Sequence, residues 1–413
     1  MNLRVRTELS IMMFLQFFIW GAWAVTVATY LLGIGFNKAD VGLIGSAAPW
    51  AAVLSPFFVG MVADRFFSAE KVLGVLHLLG AGLMYYASTI TDPMMFFWVL
   101  LAYALCYMPT LALVNTVAFN QMDNPGKEFP SVRVLGTAGW IVAGLIISTW
   151  EMETTVKPLY LAAGCSLIMG LYSFFLPKTP PKGAGKKVSV KEILGLDALK
   201  LMKDRSFAIL IIGSLLICIP LTFYYNFTNP FLVQSGVTKA AAKQSMGQMS
   251  EVIFMLAMPF FLSRLGVKKT LLIGMLAWVV RYVLFAFGNN EALVFMFYGG
   301  ILLHGICYDF FFVTGQIYVD NEAPRELRAS AQGFLGMMTY GVGMVIGSNV
   351  SGLIANHYEI TEMVNGVEKV VGQNWQQTWL IPAAMAFVVL VLFALVFKDP
   401  PRRQPRAEEA GEA

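Results

Sequence analysis

Twelve stretches of this chain are long and apolar enough to cross a bilayer, and that constrains its fold more than any other feature. A spanning helix needs roughly 20 predominantly apolar residues, because lipid offers no partner to an unpaired backbone N–H or C=O. Such runs occupy 9–34, 41–63, 71–91, 94–119, 132–150, 158–177, 206–233, 245–263, 270–288, 293–318, 329–355 and 376–397. The expected fold is an all-α membrane protein with twelve transmembrane helices. Composition agrees, since 57% of the 413 residues are hydrophobic and 13% are charged, against about 25% charged in soluble domains. With no small-residue cleavage site behind it, the first run reads as a retained helix rather than a secretory signal.

An even number of crossings puts both termini on one side, and the basic residues choose which side. With cytoplasmic termini, 22 Lys and Arg fall on the cytoplasmic side; five fall opposite, namely Lys38, Lys157, Lys239, Lys243 and Lys369, while Arg133 and Arg281 sit within or at the edge of helices. Both termini are therefore expected in the cytoplasm. The net charge of +4 is scattered over short loops, whereas nucleic acid needs a concentrated basic face, so that partner is set aside. Cys106, Cys165, Cys218 and Cys307 all lie in apolar runs, which points to neither a disulfide framework nor a metal site. An intramembrane enzyme or sensor has no HExxH pair, P-loop, Gly-x-Ser-x-Gly elbow or output domain to rest on. The expectation is a protein that is not an enzyme and needs no cofactor or metal.

The longest hydrophilic segment between helices, Pro177 to Arg205, divides the helices six and six. This gives an N-terminal bundle (1–176), a cytoplasmic linker (177–205), a C-terminal bundle (206–398) and a cytoplasmic tail (399–413). Within the linker, VKEILGLDALKLM has apolar residues at helical spacing and either lies on the membrane surface or merely tethers the halves. Pro56-Phe57-Phe58 and Pro259-Phe260-Phe261 end the second and eighth runs, 203 residues apart. Two pseudo-symmetric parallel repeats are implied, an arrangement that places substrate near mid-depth between them.

Polar residues inside the runs are the candidates for chemistry. Gln248 and Glu251 are three residues apart and share a helix face. An ionised carboxylate at the centre of a spanning helix costs roughly 2.5–3.5 kcal/mol on the insertion scale, so it is kept where a polar cavity or partner receives it. Glu251 and Asp309 are the acids well inside helices. A carboxyl in a low-dielectric cavity can be neutral in one state and charged in another, which suits proton coupling; the alternative is a structural partner for a buried donor. Arg133, Thr137 and Trp140 form one face of the fifth helix, where Arg133 either holds substrate or snorkels to the interface. Gln16 and Trp20, with Trp23, Thr26 and Tyr30 continuing the stripe, serve packing or ligand contact in the first. Arg281 is a buried or snorkelling cation for which Asp309 is a candidate partner, and His77 and His304 either relay protons or, as lone histidines on separate helices more often do, serve packing. Pro109, Pro220, Pro230 and Pro259 are candidate kinks.

Gly60-Met61-Val62-Ala63-Asp64-Arg65 looks like the start of the gating-loop motif of the major facilitator superfamily, with Phe66 to Lys71 departing from its later Gly-Arg-Arg portion. Longer strings carry a more specific likeness: FLQFFIWGAW (Phe14 to Trp23), YMPTLALVNT (Tyr107 to Thr116), LGLDA (Leu194 to Ala198), PFFLSRLGVK (Pro259 to Lys268), YDFF (Tyr308 to Phe311) and LRASAQG (Leu327 to Gly333). In order and spacing they resemble the bacterial nucleoside:proton symporters, a branch of that superfamily, over nearly the whole chain. The resemblance implies the major facilitator fold, a bacterial inner-membrane location, nucleoside and protons as partners in a lipid bilayer, and a monomer. It implies gating contacts at Asp64 and Arg65. Arg133, Thr137, Gln248, Glu251 and Asp309 match residues that contact nucleoside or support coupling in such symporters, with coupling assigned to Glu251 and Asp309. Trp140 stands where the family has Phe, which keeps base stacking. Thr222 and Tyr225 stand where the family has Gln and Asn; Tyr225 can donate a hydrogen bond and stack but has no bidentate amide edge. A carrier of another polar, ring-containing metabolite (nucleobase, sugar or related compound) is the alternative.

Overall fold

The computed structural model describes residues 1–62, 67–181, 196–364 and 366–398. Asp64 and Arg65 of the expected gate, the linker stretch 182–195 and the tail 399–413 lie outside the described residues. Among the described residues, eight helices are long and apolar enough to span a membrane. One of these, Ala240–Phe287, is two rods meeting at Gly266. Three further rods, 38–62, Ala69–Ala87 and Lys157–Ser173, bring the described set to twelve. In chain order they are α1 (Leu3–Gly33), α2 (38–62), α3 (Ala69–Ala87), α4 (Pro93–Asn120), α5 (Pro125–Thr149), α6 (Lys157–Ser173), α7 (Arg205–Gln234), α8 (240–265), α9 (267–287), α10 (Val294–Glu322), α11 (Arg328–His357) and α12 (Trp375–Val396).

The rods form two six-helix bundles with one packing scheme. In the first, α1 packs on α5, α2 on α4 and α3 on α6; in the second, α7 packs on α11, α8 on α10 and α9 on α12. Adding six to each helix number converts the first set into the second. Contacts between the bundles obey the same operation, because α5 meets α8 while α11 meets α2, and α1 meets α7 on the axis. This is the two-repeat architecture of the major facilitator fold. Apolar side chains such as Leu79, Trp98, Leu171, Leu353 and Leu392 are exposed on the outside, as expected where the surrounding solvent is hydrocarbon.

Backbone breaks come from local chemistry. Of the four candidate prolines, Pro109 caps a fresh helical segment at Thr110, dividing α4. Pro220, Pro230 and Pro259 instead sit inside helices that continue past them. The sharp turn is at Gly266, whose φ of 73° and ψ of 178° belong to a region that only glycine occupies comfortably. Two π-helical turns, Asp309–Val313 and Met337–Gly343, widen α10 and α11, a feature that often marks functional sites. Between α11 and α12 a hairpin pairs β1 (Glu359–Val364) with antiparallel β2 (Val367–Gln373). Gly366, which leads into β2, has φ 78°, a backbone conformation that glycine adopts without strain.

Replacing Gly266 with alanine is expected to destabilise the protein by roughly 1–3 kcal/mol. A thermal melt in detergent checks this, and a parent-like midpoint contradicts the strain.

Candidate functional site

The end of the molecule that carries the N-terminus is called here the terminal end, and the opposite one the far end. At the far end the two bundles are bolted together. Lys38 Nζ lies 2.6 Å from Glu359 Oε1, and both side chains are largely buried. Thr29 Oγ1 donates to Asn229 Oδ1 (2.5 Å), whose Nδ2 donates to Gln244 Oε1 (2.9 Å). A Cβ placed on Gly42 would come within 2.6 Å of Gly352 Cα, so α2 and α11 touch backbone to backbone. The N-terminus of α8 begins at Lys239, which has φ 54° and gives no side-chain cap. Its cap comes from the other bundle: Ala241 N–H donates to Glu153 Oε1 (2.8 Å) and Ala242 N–H to Ser148 Oγ (2.8 Å). Orphan N–H groups at a helix start need such acceptors.

Beyond this seal, toward the terminal end, polar side chains from both bundles converge. Glu251 lies about ten residues along α8 from its capped start, roughly 15 Å at 1.5 Å per residue. Arg133 on α5 faces it from the other bundle: the two interact electrostatically without the close contact of an ion pair. The Arg133 guanidinium also lies 4.0 Å from the centre of the Phe17 ring, a cation–π contact that fixes its position on α1. Tyr225 of α7 is 41% exposed and interacts with Glu251 and Tyr308, so that exposure lies within the cleft. Tyr308 of α10 and Tyr340 of α11 share a hydroxyl hydrogen bond of 2.6 Å. Gln248 lies one turn before Glu251 and is partly exposed. Trp140 on α5 meets Trp20 edge-on at 5.6 Å, with Thr137 between Arg133 and Trp140 on the same face. Two surface grooves, of about 360 Å³ beside Arg6 and Ser10 and about 500 Å³ beside Glu291 and Trp375, share no residue with this cluster.

The other candidates lie deeper. Gln16 is fully buried in the N-terminal bundle, where its Nε2 donates to Thr110 Oγ1 (2.7 Å) and its Oε1 contacts His77 Nε2 (2.9 Å). Tyr107 donates to its backbone carbonyl. The side-chain amide of Gln16 is thus spent on α3 and α4, and Trp20 is the member of that stripe that reaches Trp140. Thr222 is 3% exposed; it donates to the Ile219 carbonyl (2.8 Å) and presses on Gly347 of α11. Asp309 is completely buried and neither carboxylate oxygen has a partner.

One sequence expectation is corrected. Arg281 does not pair with Asp309. Its Nε donates to the Gly300 carbonyl (2.9 Å) and its guanidinium lies 4.1 Å from the centre of the Tyr224 ring, which places it against α7 rather than on the Asp309 side of α10. His304, left open between packing and chemistry, has both kinds of neighbour: its ring stacks on Tyr224 and its Nε2 lies 3.8 Å from Glu251 Oε2. Its position five residues before Asp309 offered no periodic signal toward α8; only the packing of α8 on α10 reveals the contact.

Opposite charges from two repeats, brought within electrostatic reach of each other beyond contacts that close one end, form the arrangement that a carrier working by alternating access requires. Over residues 1–402 the chain matches the family model described as Nucleoside H+ symporter, and it belongs to that family. It is 42% identical to YegT of Escherichia coli K12 over 410 residues, covering 96% of this chain and 95% of that protein. The xanthosine permease of the same organism is 36% identical over 422 residues, covering 98% and 99%. Among solved structures, the nucleoside transporter NupG (D323A mutant) superposes with a TM-score of 0.88 at 34% identity, covering 95% of this chain and all of that one.

Gly42→Leu is expected to wedge α2 from α11 and depopulate the sealed far end. Spin labels at the far ends of these helices should show a longer mean separation than in the parent; an unchanged distribution would remove this contact from the seal.

Proposed function

We propose that this chain carries nucleosides inward together with protons by alternating access, and that Arg133, Thr137, Trp140, Trp20, Tyr225, Gln248 and Glu251 line the substrate site. The observation that carries this reading is Arg133 of one bundle facing Glu251 of the other across a cleft closed beyond them. The family and the nucleoside-named relatives supply the cargo class; the residue roles are inferred from position. The working units are the bundles 1–176 and 206–398, joined by the linker 177–205 and followed by the tail 399–413. Together they act as a monomer in the lipid of a bacterial inner membrane. With both termini cytoplasmic, as the 22 basic residues on that side favour, the far end is periplasmic and the conformation described is inward-facing.

The cycle follows from electrostatics. When Glu251 is neutral, Arg133 is free to hold substrate hydroxyls; when Glu251 is ionised, the two attract and draw the bundles together. An ionised carboxylate buried without partners is costly, so Asp309, sealed in the interior, is the acid expected to carry a proton in this conformation. Each charge moved inward gains roughly 2.3 kcal/mol per 100 mV, enough for about fifty-fold accumulation.

A second reading keeps the carrier and changes the cargo to another polar ring-containing metabolite. It is favoured by α7, where Thr222 spends its hydroxyl on its own helix and Tyr225 offers no amide edge. Competition by nucleosides, bases and sugars against labelled uridine separates the two.

In Glu251→Gln, accumulation above equilibrium is expected to vanish, a loss of up to about fifty-fold at 100 mV. Uptake into energised vesicles with and without protonophore measures it. Undiminished protonophore-sensitive accumulation would remove Glu251 from coupling.

A further inference from the structure

His304 is 3% exposed, and its surroundings fix it with unusual completeness. Its ring stacks on Tyr224 at 5.3 Å with an interplanar angle of 18°, and Tyr224 is in turn backed by the Arg281 guanidinium. The backbone beneath it is pinned to α8: Ser250 Oγ donates to the Leu302 carbonyl (2.5 Å) and accepts from Gly305 N–H (3.2 Å). Gly247 of α8 lies so close that a Cβ there would be 3.1 Å from His304 Cβ. The residues flanking His304 are therefore bolted to the residue that precedes Glu251. Nδ1 has no partner, while Nε2 points at the Glu251 carboxylate from 3.8 Å. That separation exceeds hydrogen-bond length, and a small shift of one side chain closes it.

Glu251 therefore sits between two donors. Arg133 lies across the cleft in the other bundle, and His304 lies in its own. The remaining groups that interact with it electrostatically are Tyr224 and Tyr225 of α7 and Tyr308 and Asp309 of α10, and none is a cation. We propose that His304 is a positioning residue which, as an Nε2–H donor, competes with Arg133 for the Glu251 carboxylate and so sets how strongly the two bundles are drawn together. Held by His304, Glu251 leaves Arg133 available to substrate and the cleft open. Released, it turns to Arg133 and the cleft narrows. An onward relay through Nδ1 is not part of this role, because that atom faces no acceptor or donor. The inference rests on the symport reading for its meaning in the cycle but not for its test.

The test uses side-chain geometry. Phenylalanine keeps the stack on Tyr224 and removes the donor. The amide nitrogen of glutamine reaches the place of Nε2, whereas that of asparagine reaches only that of Nδ1. Spin labels on the exposed Val134 of α5 and Leu256 of α8, in a background free of native cysteines, report the width of the cleft. In His304→Phe and His304→Asn the populations are expected to shift about tenfold toward the shorter distance, the size expected for loss of a hydrogen bond to a charged group. His304→Gln should stay within about threefold of the parent, and the shift should disappear when Glu251→Gln is added, because coupled residues are not additive. A parent-like distribution in His304→Phe, or equal behaviour of the Asn and Gln variants, overturns the proposal. Failure of the parent to accumulate any of labelled uridine, cytidine, adenosine, guanosine or xanthosine under a proton gradient would instead overturn the symport reading and leave the distance result standing.

Discussion

Everything in this molecule turns on a carboxylate that a lipid-spanning helix can keep only where something receives it. Glu251 has a cation in view, but that cation belongs to the other bundle. An attraction of this kind is weak when water fills the gap and grows as the gap dries, because the effective dielectric falls. The interaction is therefore also a gauge of how far apart the halves stand. A charge pair within one bundle would stabilise that bundle and report nothing.

The rest of the fold gives the gauge something to act on. Each bundle is stiff: Gln16, His77, Thr110 and Tyr107 lock α1, α3 and α4, and Arg281, Tyr224 and Phe285 do similar work in the second bundle. Between the bundles, by contrast, the polar contacts described are local, one buried ion pair and short hydroxyl or amide bonds at the far end, while glycines let α2 approach α11 at Gly352 and, further along, Val53 approach Gly341. Rigid halves joined by exchangeable contacts rock as units, since packed cores do not deform continuously. The π-helical turn that begins at Asp309 lies within one such half, where it disturbs the helix without loosening the interface.

Much of this was legible in the sequence, for identifiable reasons. Twelve apolar runs, a basic bias and a central linker dictate the bundles, because lipid permits so few alternatives. Gln248 with Glu251, and Arg133 with Trp140, are proposed as site residues because helical periodicity places each pair on one face. What periodicity cannot give is which helix a face meets. Arg281 was assigned to Asp309 because both are charged and sit on neighbouring helices, yet the ring of Tyr224 and the Gly300 carbonyl take the guanidinium. His304 stays undecided between packing and chemistry in the sequence because its partner lies on another helix, over fifty residues away. The hairpin after α11 carries a short-range signal, Asn-Gly between valines at 364–367, that helical periodicity does not register. Gln16, a polar residue in an aromatic stripe, looks the same from sequence whether it turns to a cleft or to a histidine.

One detail at the far end bears on the whole cycle. The first turn of α8 is finished by Glu153 and Ser148, which belong to the opposite bundle. A helix whose last bricks are lent by its neighbour is whole only while the two are in contact. Parting the bundles at the far end leaves the N–H groups of Ala241 and Ala242 without those acceptors, so that opening there trades a borrowed helix cap for water.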